Sequence, residues 1–121
     1  NIKIKNFVNN PFPIMRQSDI FILSSKYEGL PNALLEAIVL KRFSISSDCP
    51  TGPREILNNG KGGMLFKIGN YHDLSKKILF YCKNKKLFRK KISFAFRNLK
   101  RFDFDKNLLK YYLLLNPFLV D

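Results

Sequence analysis

Histidine, cysteine and tryptophan are the scarce residues of this chain: it has one His (His72), two Cys (Cys49 and Cys82) and no Trp in 121 residues. Cys49 and Cys82 match no metal-ligand spacing, and a single histidine supplies no ligand set, so no metal is expected. Two cysteines also make no disulfide framework, which fits a reduced, cytoplasmic setting. No apolar run approaches the roughly 18 residues of a membrane-spanning helix, and no stretch has the charged, apolar and small-residue order of a secretory signal. Acidic residues are few as well, 9 Asp+Glu against 22 Lys+Arg, for a net charge of +13. A length of 121 residues allows one domain at most, large enough to bury a core.

The cations are unevenly spread. Residues 76–110 hold thirteen basic side chains and two acidic ones, Asp103 and Asp105. Three readings compete for this stretch. It is a solvated basic face inflated by the Lys, Asn, Ile and Phe usage of an A+T-rich genome, or it is drawn to an anionic lipid surface, or it binds nucleic acid. No aromatic nucleic-acid motif accompanies the charge, which makes the third reading the weakest.

Along the chain, Ile2-Lys3-Ile4-Lys5 alternates and predicts a strand with one buried face. Residues 11–17 predict a short helix capped by Asn10, with Ile14 and Met15 facing inward. The apolar, β-branched run from Ile20 to Leu23 is too short for a stable helix and predicts a buried strand over residues 19–23. Residues 24–29 are a polar loop, after which apolar residues recur at helical spacing from Leu30 to Leu40. Pro31 falls in that helix's first turn, where its missing N–H is tolerated. A strand over 43–46, a short helix over 53–57, turn chemistry at Asn58-Asn59-Gly60-Lys61-Gly62-Gly63 and a strand over 64–66 follow. Asn70 or His72 opens a helix to about Cys82 with Leu74, Ile78 and Leu79 on its apolar side. Residues 85–100 predict another, striped by Phe88, Ile92, Ala95 and Leu99, and residues 105–115 a last one carrying Leu108, Leu109, Tyr112 and Leu113. The expectation is an α/β chain: a partial Rossmann-like parallel sheet of about four short strands, helices on both faces, and a basic helical segment over 71–115. Nothing marks a separate second domain.

The richest stretch is residues 19–36: strand, glycine-containing loop, helix start, with Glu28 in the loop and Glu36 on the helix. In open α/β sheets such loops meet the positive ends of helix dipoles and bind ligands. Phosphate oxygens suit the N–H groups at that helix start, hydroxyl groups suit carboxylates, and Gly29 lets the backbone come close. Glu28, seven intervening residues and Glu36, with Gly29-Leu30-Pro31 directly after the first, resembles the E-x7-E signature of retaining GT-B glycosyltransferases of the GT4 type. The resemblance continues through Asn10-Pro11-Phe12-Pro13 and through Ser47-Asp48-Cys49-Pro50-Thr51-Gly52-Pro53-Arg54-Glu55-Ile56-Leu57, covering roughly residues 2–75.

It implies that residues 1–121 are the C-terminal, nucleotide-sugar-binding domain of such an enzyme, truncated at its N-terminus. Glu28 is then the catalytic residue holding donor-sugar hydroxyls. Gly29, Leu30, Pro31 and Asn32 meet the sugar and phosphate, and Glu36 takes the ribose. Asp48, Thr51, Gly52 and Arg54 are candidate cleft residues, with a purely structural turn as the alternative. Arg54 is the one cation there placed to approach a phosphate, unless it faces solvent, and Glu55 is a candidate for fixing the small helix. No cofactor is implied. The donor is a substrate, a UDP-sugar by resemblance, for hexosyl or N-acetylhexosaminyl transfer in bacterial polysaccharide, lipopolysaccharide or lipid-linked glycan assembly. The family neutralises its leaving diphosphate with an Arg and a Lys from segments upstream of Asn1, so the chain is expected to be inactive alone. The implied partners are an acceptor-binding domain or separate chain and the anionic inner face of a membrane.

Paired carboxylates also suggest a glycosidase, whose two groups flank one bond at roughly 5–9.5 Å. Eight helical residues rise about 12 Å and set both groups on one wall, which excludes it. Two rivals stand: a non-catalytic module completing a GT-B enzyme in trans, and a basic nucleic-acid-binding protein.

Overall fold

The segment Phe43–Ser47 forms the middle strand of the molecule, and each of its five residues is buried. In the computed structural model, which describes residues 2–115, it lies between two parallel neighbours. These are β1 (Ile20–Leu23), β2 (Phe43–Ser47) and β3 (Met64–Phe66), in the order β1-β2-β3. Ile22 pairs with Ile45, and Ile45 with Met64. Among the described residues there are six helices: α1 (Phe12–Gln17), α2 (Asn32–Val39), α3 (Pro53–Ile56), α4 (Tyr71–Lys83), α5 (Arg89–Asn98) and α6 (Phe104–Leu115). Short 3-10 turns, Lys85–Phe88 and Leu99–Phe102, bracket α5.

The period-two alternation of β2 sorts the core into two layers. Phe43 and Ile45 point to one side, where Phe66, Tyr81 and Phe88 pack with them. The Phe43 and Tyr81 rings stack there with centroids 4.6 Å apart. On the other side Leu34 and Ile38 of α2 meet Ile56, Leu57 and Ala95. Ser44 and Ser46 face this second layer. Their small side chains let a helix approach the sheet, and both hydroxyls are satisfied, by Arg42 O at 3.3 Å and Ser47 O at 3.1 Å. The strands are pinned at their N-terminal edge. Arg42 Nη1 donates to Ser18 O at 3.0 Å, and Asp19 receives Lys85 Nζ at 2.8 Å on its carboxylate and the Tyr81 hydroxyl at 3.2 Å on its carbonyl.

Several expectations change. Residues 2–5 form no strand: Ile2 and Ile4 are 94% and 91% exposed, and the sheet of the described residues has three strands rather than four. Alternation makes a strand only when a neighbour takes its N–H and C=O groups, and none of the described residues pairs with this segment. The α1 N-cap is Pro11 rather than Asn10, although Asn10 Oδ1 still accepts the Phe12 N–H at 3.1 Å. Met15 is buried but Ile14 is exposed, since a helix of six residues has one narrow inner face. On α4 the inward position after Ile78 belongs to Tyr81, not to Leu79, which is exposed. The predicted helix over 85–100 is interrupted, with its first four residues tightened into the 3-10 turn that seats Phe88 in the core. The side chain of Tyr112 lies outside the described residues.

Candidate functional site

Because the three strands run parallel, the loops that follow them, residues 24–31, 48–52 and 67–70, emerge along one edge of the sheet. The α2 helix starts at this edge. Its N-cap is Pro31, with no capping side chain and no acidic residue in its first turn. Leu34 and Leu35 N–H groups reach Pro31 O at 3.1 and 3.4 Å, so the N–H groups of Asn32 and Ala33 have no intrahelical acceptor.

Around that helix start stand the residues singled out above. Glu28 is half-buried in the loop, Gly29 and Leu30 are exposed, Pro31 is buried and Asn32 is exposed at the first helical position. Glu36 lies about one turn further on, half-buried, on the side of α2 opposite Leu34 and Ile38. Gly29 has open space where a Cβ would stand. The close backbone approach occurs at Gly52 instead. There φ is +77°, and a Cβ would lie 2.0 Å from Gly29 O and 2.8 Å from Pro31 Cδ.

The loop after β2 thus packs against the loop after β1. Thr51 Oγ1 donates to Glu28 O at 2.7 Å. Ser47 Oγ donates to Ser25 O at 2.5 Å, and Cys49 Sγ to the same carbonyl at 3.3 Å. Asp48 and Arg54 form a two-pronged ion pair, Nε to Oδ1 at 2.8 Å and Nη2 to Oδ2 at 2.6 Å. The guanidinium holds the Asp48 carboxyl below the usual carboxylate range, and the carboxylate raises Arg54 in return. Arg54 is therefore a neutralised cation in this arrangement. The Glu55 side chain is exposed and does not fix α3; its backbone carbonyl does, accepting from Arg101 Nη2 at 2.9 Å.

The structure brings Glu28 to Asn32, Thr51 and Gly52 together, sets Glu36 along α2, and ties Asp48 to Arg54. Two participants had no sequence signal of their own. Ser47 and the Ser25 carbonyl are joined across 22 residues, and neither periodicity nor a turn rule marks a serine that donates to a distant backbone oxygen. Among the described residues no group of His, Cys, Asp or Glu is arranged to hold a metal ion, and no helix is long and apolar enough to cross a membrane.

Residues 1–84 match the family model described as "Glycosyl transferases group 1". An uncharacterized glycosyltransferase of Methanocaldococcus jannaschii is 47% identical over 57 residues, 47% of this chain and 14% of that protein. The N-acetylgalactosamine-N,N'-diacetylbacillosaminyl-diphospho-undecaprenol 4-alpha-N-acetylgalactosaminyltransferase of Campylobacter jejuni is 25% identical over 115 residues, 93% of this chain and 32% of the relative. The chain thus spans a third or less of either relative. The crystal structure of TarM superposes with a TM-score of 0.79 at 26% identity, covering 92% of this chain and 22% of TarM. The three-stranded parallel sheet with helices on both faces is the Rossmann-like arrangement of that GT-B neighbour. The chain belongs to the group 1 glycosyl transferase family.

Proposed function

We propose that this chain is the donor-binding half of a retaining glycosyltransferase of GT-B architecture, and that it takes a UDP-sugar at the edge where the 24–31 loop meets α2. One observation carries the reading: Glu28 and Glu36 lie on either side of a helix start that has no capping side chain of its own. In this reading Glu28 is the catalytic carboxylate and accepts from donor-sugar hydroxyls. The backbone of Gly29, Leu30, Pro31 and Asn32 receives sugar and diphosphate, and Glu36 accepts from the ribose. Each unpaired N–H at a helix start favours an anion, and the dipole adds about 0.3–1 kcal/mol at an exposed site.

The same residues explain why the chain should turn over little alone. Departure of a diphosphate needs positive charge at the leaving oxygens, and Arg54 is already neutralised by Asp48. Cations for the leaving group and the acceptor site then come from an acceptor-binding domain or from further parts of a GT-B enzyme. The acceptor class we favour is a polysaccharide or lipid-linked glycan. A place at the anionic cytoplasmic face of a membrane suits the exposed cations Lys86, Arg89, Lys90 and Arg97, beside the exposed Leu87. Amide chemical shifts on titration with UDP test the donor site. Changes centred on Gly29, Leu30, Asn32 and Ala33 are expected, and changes confined to α4 and α5 would overturn it.

A further inference from the structure

We infer that Thr51 is a positioning residue for the donor sugar, acting through Glu28, and that the loop after β2 sets where that carboxylate stands. The inference rests on the donor reading above. Among the described residues no backbone hydrogen bond joins two residues of the 24–30 segment, so the loop that carries Glu28 has no frame of its own. Its restraints come from the neighbouring loop. Ser25 O is held by Ser47 Oγ and Cys49 Sγ, Glu28 O by Thr51 Oγ1, and Gly29 O lies where a Cβ on Gly52 would be. That neighbouring loop is itself framed. Asp48 N donates to Phe66 O at 2.8 Å, Ile56 N to Gly52 O at 2.8 Å, and the Asp48–Arg54 pair closes across it. Position is passed from β3 through residues 48–52 to Glu28.

The two halves of the site are therefore held by different things. Glu36 and the helix-start amides belong to α2, which the buried Leu34, Ala37 and Ile38 fix to the core. Glu28 depends on the Thr51 contact, the restraint nearest to it along the chain and one exposed to water. A carboxylate that meets sugar hydroxyls must be placed within about half an ångström, so loosening Thr51 affects recognition of the sugar more than that of the nucleotide, whose diphosphate shares only Gly29 and Leu30 with the loop.

Thr51→Val and Thr51→Ser in the full chain test this in two measurements. The first is amide hydrogen exchange without ligand. Thr51→Val should raise exchange across residues 26–31 by about fivefold to tenfold, the factor for one lost hydrogen bond, leave β2 unchanged, and be reversed by Thr51→Ser. The second is titration with UDP and with a panel of UDP-hexoses and UDP-N-acetylhexosamines. Thr51→Val should weaken the tightest UDP-sugar by a similar factor, weaken UDP distinctly less, and have no effect beyond that seen with UDP once Glu28→Ala is present. Unchanged exchange, equal loss of UDP and UDP-sugar, or failure of serine to restore would each overturn the inference. A wild-type chain that binds no UDP-sugar overturns the donor reading instead, and the exchange result then decides alone whether Thr51 holds the loop.

Discussion

Gly52→Ala is the substitution whose cost the structure defines most sharply. The new Cβ would stand 2.0 Å from the Gly29 carbonyl oxygen, 2.8 Å from Pro31 Cδ and 3.1 Å from Gly29 C. None of these is the free end of a flexible side chain, so relief requires the backbone of residues 28–31 to move by about 1 Å to reach the 3.0 Å that real contacts respect. Overpacking of this kind costs about 1–3 kcal/mol. The backbone adds a second term. With φ +77° and ψ −84°, position 52 lies in a region that L side chains avoid, at roughly 1–2 kcal/mol. The sum, about 2–5 kcal/mol, is a large part of the 5–15 kcal/mol that typically holds a domain together. Gly60→Ala is the control, because Gly60 shares a positive φ of +86° but has nothing within 4 Å of a Cβ. Urea unfolding of the two variants sets the crowded site against the open one: Gly52→Ala should lose at least about 1–3 kcal/mol more than Gly60→Ala. Equal urea midpoints for the two would refute the close approach of the loops.

The Asp48 carboxyl has its folded pKa lowered by Arg54, so the stability it contributes is present above the unfolded value near 3.9 and is lost as pH falls through the folded value. Thermal unfolding followed from pH 6 to pH 2 should show a smaller acid loss in Asp48→Asn than in wild type; at pH 7 the variant should cost at most about 1 kcal/mol, because the pair is partly exposed. An unchanged acid profile would contradict the pairing. Co-sedimentation with phosphatidylglycerol vesicles at low salt should exceed that with phosphatidylcholine, and should fall by about 1 kcal/mol for each of Lys86, Lys90 and Arg97 changed to Gln. Equal binding to both vesicles, or stronger retention by RNA than by either, would remove the membrane reading.

The parts of the fold legible in the sequence are those where periodicity and burial coincide. The stripe Phe88, Ile92, Ala95 and Leu99 all reaches the core. Ile20 to Leu23 forms a strand as its length and β-branching require, but not the buried one expected: it is an outer strand of the described sheet, and Ile22 is exposed. Ile2 and Ile4 alternate equally well, yet pairing decides whether alternation becomes a strand, and a pairing partner is not a local property. On α4 the choice between Leu79 and Tyr81 turned on an aromatic stack with Phe43, which only the assembled sheet defines. At the site, the helix start and its two glutamates follow from the order of residues 19–36. The direction of the contacts does not. Gly52 was a plausible lining residue by its neighbours in sequence, but it is buried beneath Gly29, and Thr51 and Arg54 have their donors turned to Glu28 O and Asp48. Interactions across 23 residues, such as that of Thr51, leave no mark in a local pattern.

The central claim is that Glu28, Glu36 and the start of α2 hold a nucleotide sugar. Calorimetric titration of wild type and Glu36→Ala with UDP and several UDP-sugars tests it most directly. A carboxylate that accepts from ribose hydroxyls contributes a charge-assisted hydrogen bond, so Glu36→Ala should weaken UDP itself by about 1.5–3 kcal/mol, roughly tenfold to a hundredfold. Binding that is indifferent to Glu36, or a folded chain that binds neither UDP nor any UDP-sugar, would contradict the account.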